Sequence, residues 1–157
     1  MKAELAWAAG LFDGEGCVAI TRQKPVGNKS PQYRLVLKLA MCSKEAVLRF
    51  GGIIKYGSLS VYKAGKRTSA AYVWTISCRQ AQCALKVLRP FLIAKAKETN
   101  VVLEFCSLPD GRKGAKGGHG CQKLDKALLR KRHELYLRCR RLKSRWRFRV
   151  KRRVVRA

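Results

Sequence analysis

"AAGLFDGEG" (Ala8–Gly16) closes an apolar helix with two acids, and its reading decides the fold. The C-terminal end of a helix carries partial negative charge, so each carboxylate placed there costs about 0.3–1 kcal/mol. The chain has only nine acidic residues, and two of them, Asp13 and Glu15, stand at this spot. A positive partner is required. The helix poses a second problem, because "LAWAAGLF" (Leu5–Phe12) is apolar around its whole circumference and needs cover on both sides.

One side can cover the chain's own sheet. On the other, Ala6 and Gly10 stand four apart with Ala9 beside them, a small-residue face suited to close helix approach. Packing against a second copy across a two-fold axis solves the burial problem with one motif per chain. A central helix wholly buried in a monomer is the alternative. The dimer brings two Asp13-Gly14-Glu15-Gly16 tips together, where carboxylates repel unless a cation bridges them. Hard oxygen donors favour Mg²⁺, with Mn²⁺ or Ca²⁺ able to take the same site, held by few carboxylates plus phosphate oxygens and waters. Gly14 and Gly16 let backbone carbonyls turn toward the ion.

Charge points to the same chemistry. Thirty-six Lys and Arg against nine acids give +27, a surplus best matched by a polyanion such as nucleic acid. No apolar run is long enough to span a membrane, and no leader pattern precedes the first helix. Seven cysteines without a CxxC pair argue against a zinc ribbon and fit buried or incidental thiols in a reducing, intracellular setting. His119, Cys121 and Cys106 match no common metal-site spacing.

Residues 1–108 read as a body, the Gly- and Lys-rich 109–120 as a linker, and 121–157 as a basic helix and tail; residues 111–157 alone carry +17. In the body, helix Ala3–Phe12 precedes a strand over Cys17–Gln23 and a cleanly alternating strand over Tyr33–Met41. Helix Ser43–Gly51 follows, with Ser43 as N-cap. The plan then repeats: strands Gly57–Lys63 and Ala70–Ser77, helix Arg79–Phe91 broken at Pro90, and helix Lys95–Cys106. The predicted class is α+β, in the order αββαββα, with a four-stranded antiparallel sheet and helices on one face.

The open sheet face carries Thr21, Gln23, Arg34, Lys38, Ser60 and Tyr62. A solvated face would look the same in sequence, but in so basic a chain it reads as a platform for nucleic acid. Arg34 and Lys38 suit phosphates, as do Lys63, Lys66 and Arg67 in the following turn. Thr21, Gln23, Ser60 and Tyr62 suit base edges, since a β-ribbon fits the major groove. In the tail, Leu124, Leu128, Leu135 and Leu142 have helical spacing, as in a short helix packing on the body. Beyond them Arg145, Arg147 and Arg149 alternate with Trp146, Phe148 and Val150, as in an extended segment along a phosphate backbone or a disordered solubilising tail.

With this order of elements, Ala8–Gly16 resembles the signature motif of the LAGLIDADG homing endonucleases, and "LRPFLIAKAKETNVVLEF" (Leu88–Phe105) resembles their last core helices. The resemblance covers roughly residues 3–106 and implies a homodimeric, metal-dependent, site-specific DNA endonuclease joined through the motif helix, its two sheets forming a saddle. It implies that Glu15 binds the metal, that Gly14 offers a carbonyl to it, and that Asp13 holds the geometry of the catalytic tip. Lys95 falls at the basic position of the catalytic pocket, with Lys97 as the substitute one register away. The sequence departs at Met41, where relatives carry a polar residue that positions water, and at Glu45, where some carry a base; Cys42, Ser43 or Lys44 is left to supply that function. The alternative on the same scaffold is a non-cleaving binder, an RNA maturase or a transcriptional regulator.

Overall fold

The computed structural model describes residues 1–24, 30–63, 70–109 and 125–154, with side chains through 143. The chain runs α1 (Lys2–Glu15), β1 (Gly16–Gln23), β2 (Gln32–Met41), α2 (Lys44–Ile54), β3 (Ser58–Tyr62), β4 (Ala71–Ser77), α3 (Cys78–Leu88), a 3₁₀ turn (Arg89–Phe91), α4 (Ala96–Ser107) and α5 (Lys126–Val154). The four strands form one antiparallel sheet in the order β1-β2-β4-β3. Each hairpin follows a helix, so the repeated αββ plan read from the sequence is the plan of the fold.

Alternation sorts the sheet into two faces, because residues directly opposite in an antiparallel pair point the same way. Val18 and Ile20 of β1, Leu35, Leu37 and Leu39 of β2, and Trp74 and Ile76 of β4 are all buried under the helices. The central position is filled by aromatic rings. Phe12 of α1 stacks on Phe50 of α2 with centroids 5.8 Å apart, and Phe50 meets Trp74 edge-on at 4.9 Å. Such contacts add about 0.5–1.5 kcal/mol to what burial gives. The indole of Trp74 donates to the Tyr56 carbonyl at 2.8 Å and lies where a side chain on Gly57 (φ +106°) would stand; glycine is required there by both backbone and space.

Helix boundaries follow local chemistry. The Ser43 hydroxyl accepts the Ala46 N–H at 3.2 Å and starts α2. The Asp125 carboxylate accepts the N–H groups of Ala127 and Leu128 and starts α5. α1 passes straight into β1 through Gly16, where any side chain would strike the Phe12 ring and carbonyl. Pro90 lacks an N–H, and α3 ends at Leu88 before a single 3₁₀ turn.

β3 is exposed along its whole length, with Leu59 at 40% and Val61 at 56%, because no helix among the described residues reaches over that edge. The basic helix packs on the body as expected: α5 lies on α4, β1 and β2, with Leu135 and Cys139 buried in the core. One expectation changes. The backbone of α5 stays helical to Val154, so the stretch bearing Arg145, Arg147 and Arg149 is not extended. Leu124 and residues 110–120 of the linker lie outside the described residues.

Candidate active site and nucleic-acid face

The two acids at the end of α1 meet different surroundings. Asp13 turns toward the segment that leads into α4. Its Oδ2 accepts the N–H groups of Ile93 at 2.6 Å and Ala94 at 3.1 Å, and its Oδ1 accepts that of Lys95 at 2.9 Å. α4 has no side-chain cap of its own, so a carboxylate some eighty residues upstream fixes its entry. The positive partner found at this acid is therefore backbone amide, reinforced by the positive end of α4, and both Asp13 oxygens are engaged by the fold. Glu15, two residues on, is exposed and has no hydrogen bond or ion pair among the described residues. Gly14 beside it is exposed too.

Lys95 completes the cluster. Its Nζ donates to the Asp13 carbonyl, which ties the lysine to the α1 tip from the other side. Burial pushes this ammonium below the usual lysine range; Asp13 and Glu98 pull it back up, and Lys143 adds to the lowering. A cavity of about 340 Å³ opens here, lined by Asp13, Gly14, Cys17, Lys95, Glu98 and Lys143 among others. Lys97 is exposed and does not line it, so of the two lysines only Lys95 stands at this cavity. Glu98 is 7% exposed and its carboxylate has no hydrogen bond among the described residues.

At the far end of β2 the polar function expected near Met41 does not assemble. Met41 packs against the core, and the Ser43 hydroxyl is engaged with Ala46 N–H and with Glu45 Oε2 at 3.3 Å. Cys42, Lys44 and Glu45 are exposed.

The strand register collects the expected contact residues on the open face. Thr21 lies opposite Arg34, Gln23 opposite Gln32, Lys38 opposite both Cys17 and Thr75, Ser60 opposite Val73, and Tyr62 opposite Ala71. Thr21, Gln23, Arg34, Lys38, Ser60 and Tyr62 are all exposed, and so is Lys63. Arg34 is steadied by Gln32 Oε1 at 3.1 Å, and the Thr21 hydroxyl donates to the Arg34 carbonyl at 3.2 Å. Lys66 and Arg67 lie outside the described residues.

The bare side of α1 differs in one residue from expectation. Ala6 and Gly10 are exposed, and a Cβ on Gly10 or Gly14 would meet nothing within 4 Å. Ala9 is 0% exposed: it faces the chain's own core, where no second chain can reach it. Gly14, four residues beyond Gly10, takes its place in the stripe.

Sequence reading missed Glu98, Lys143 and the pair Tyr33–His133, whose Oη and Nδ1 are 2.9 Å apart. One signal was present for Lys143. It continues the face of Leu135 and Cys139 at four-residue spacing, so a lysine there points where the apolar face points.

No family model and no curated protein sequence matches the chain. Solved structures do. The homing endonuclease I-CvuI, in a DNA complex with magnesium in which the DNA is not cleaved, matches with a TM-score of 0.72 at 18% identity, over 90% of this chain and 82% of that one. The archaeal intron-encoded homing endonuclease I-Vdi141I, complexed with DNA, gives 0.69 at 13% identity, over 90% and 84%. The LAGLIDADG homing endonuclease I-GzeII, bound to its DNA target, gives 0.65 at 11% identity, over 84% of this chain and 43% of that one. The chain has the fold of the LAGLIDADG homing endonucleases.

Proposed function

We propose that the protein is a site-specific DNA endonuclease, of the intron-homing kind, that acts as a homodimer. α1 of each chain packs along Ala6, Gly10 and Gly14 of the other, and the two open sheet faces form one saddle over a long, near-palindromic duplex. The observation that carries this reading is the end of α1: the fold consumes Asp13 and leaves Glu15 free beside the Lys95 pocket.

The donors present suit a divalent ion that keeps water and phosphate in its shell. One chain offers the Glu15 carboxylate and the Gly14 carbonyl, both hard oxygens, and no group of three His, Cys, Asp or Glu among the described residues could cage an ion alone. Mg²⁺, with Mn²⁺ or Ca²⁺ as substitutes, would supply an acidified water and charge stabilisation at the leaving oxygen. Lys95 donates to a phosphate oxygen as negative charge builds there. The water oxygen bonds to phosphorus while its proton passes to solvent; the bond to one sugar oxygen breaks, and that oxygen takes up a proton. Arg34, Lys38 and Lys63 grip phosphates, while Thr21, Gln23, Ser60 and Tyr62 meet base edges.

Purified protein with Mg²⁺ is expected to cut a duplex carrying the uninterrupted insertion site of its own coding element. Glu15→Gln is expected to bind that duplex and leave it whole; normal cutting by the variant contradicts the metal assignment. One observation favours a non-cleaving binder on the same scaffold, an RNA maturase or a transcriptional regulator. Met41 packs inward and Ser43 is spent on capping α2, so among the described residues neither is turned to hold a water at the end of β2. Binding without cutting in both Mg²⁺ and Mn²⁺ would establish that reading instead.

A further inference from the structure

We propose that Lys143, delivered by α5, is a second cation of the phosphate pocket, so that the basic C-terminal helix completes the cleavage site instead of only adding charge. The proposal rests on the nuclease reading above. Leu135, Cys139 and Lys143 share one face of α5, and the first two are 1% and 2% exposed. Their packing on the sheet fixes where the lysine emerges. It emerges in the cavity that also holds Asp13, Gly14, Lys95 and Glu98.

The bonding of Lys143 leaves it available. Its Nζ donates to Cys17 Sγ at 3.1 Å, its only hydrogen-bond partner among the described residues. An ammonium has three donors and a thiol is a weak acceptor, so this tie yields readily to a phosphate oxygen, whose charge-assisted bond is about twice as strong as a neutral one. Cys17 lies opposite Lys38 on the open sheet face. Lys143 thus reaches past edge strand β1 to the side that bound duplex would cover.

The cavity lining is balanced in charge, with the Asp13 and Glu98 carboxylates facing the Lys95 and Lys143 ammonium groups. The Asp13 oxygens are held by three backbone amides and Glu98 is buried, so the groups left to meet an entering phosphate are the two ammonium groups.

The test uses the full chain and a duplex recovered from a randomised library by wild-type cutting in Mg²⁺. Single-turnover cleavage and metal-free binding are compared for Lys143→Met, Lys143→Arg, Cys17→Ser and Glu15→Gln. Lys143→Met is expected to slow cleavage about a hundredfold while weakening binding less than about fivefold. Lys143→Arg should recover most of the rate, and Cys17→Ser should cut well above the rate of Lys143→Met. The proposal is overturned if Lys143→Met cuts at the wild-type rate. It is equally overturned if cutting and binding fall by one common factor, which marks a backbone clamp, or if Cys17→Ser reproduces the Lys143→Met defect, which marks a packing role. In each of these results an inert Glu15→Gln variant keeps the nuclease reading intact; a Glu15→Gln variant that cuts normally removes that reading, and Lys143 with it.

Discussion

The inner and outer sides of the α1 tip hold chemically similar acids with opposite fates. On the inner side, Asp13 is bound by three amides and its carbonyl by Lys95; on the outer side, exposed Glu15 has no hydrogen bond or ion pair among the described residues. The same contrast runs along the helix. Ala8, Ala9 and Phe12 are fully buried, whereas Ala6, Gly10 and Gly14 look into open space. One side of α1 builds the fold, and the other stands bare among the described residues.

The largest effect expected from this division is on Glu15. Glu15→Gln should lower cleavage at least about a thousandfold with no change in thermal unfolding, since the carboxylate has no partner whose loss would weaken the fold. Asp13→Ala should do the reverse first. Losing charge-assisted bonds to three amides costs about 3 kcal/mol of stability, read as a drop in the denaturation midpoint, and activity falls only as α4 and Lys95 lose their placement. An Asp13→Ala variant as stable as wild type would erase the distinction between the two sides.

The bare stripe gives a smaller effect. Gly10→Leu places a side chain where nothing stands within 4 Å. It should leave the folded chain as stable as before or firmer by about 0.5–1 kcal/mol, because glycine is a poor helix residue. It should also shift the protein from dimer to monomer in sedimentation. Unchanged assembly would remove α1 as the subunit contact.

The mildest tests are titrations. Burial pushes the Cys106 thiol up to about 11 and also raises Cys139, so both should resist alkylation near pH 8 while exposed Cys42 and Cys83 react. For Lys95 the sign runs the other way. Its ammonium is held below the ordinary value of 10.5 by burial, so the unfolded chain binds the proton more tightly. Relative to Lys95→Met, wild-type stability should therefore rise as pH climbs from the folded value toward 10.5.

Legibility in the sequence followed the range of the interactions. The αββ repeat, the two faces of the sheet and the Ser43 cap depend on near neighbours, and alternation or cap chemistry displays them. The partner of Asp13 lies some eighty residues away in amides that every residue except proline carries, so composition gives no hint of it. Ala9 was misassigned because a helix apolar on all sides does not announce which small residues face inward. Met41 looked like a catalytic departure, yet it continues the inward set of Leu35, Leu37 and Leu39 at period two. The placement of Glu98 against Lys143 depends on how α5 docks across β1, which no local pattern encodes.

The central claim is that the fold spends Asp13 and reserves Glu15 for a metal shared with bound duplex. Anomalous diffraction from a Mn²⁺-soaked crystal of the protein on its selected duplex tests this most directly. The account predicts a peak within about 2.3 Å of a Glu15 carboxylate oxygen, with Asp13 still on the amides of residues 93–95. A peak on Asp13, or none near Glu15 with its carboxylate turned to solvent, contradicts it.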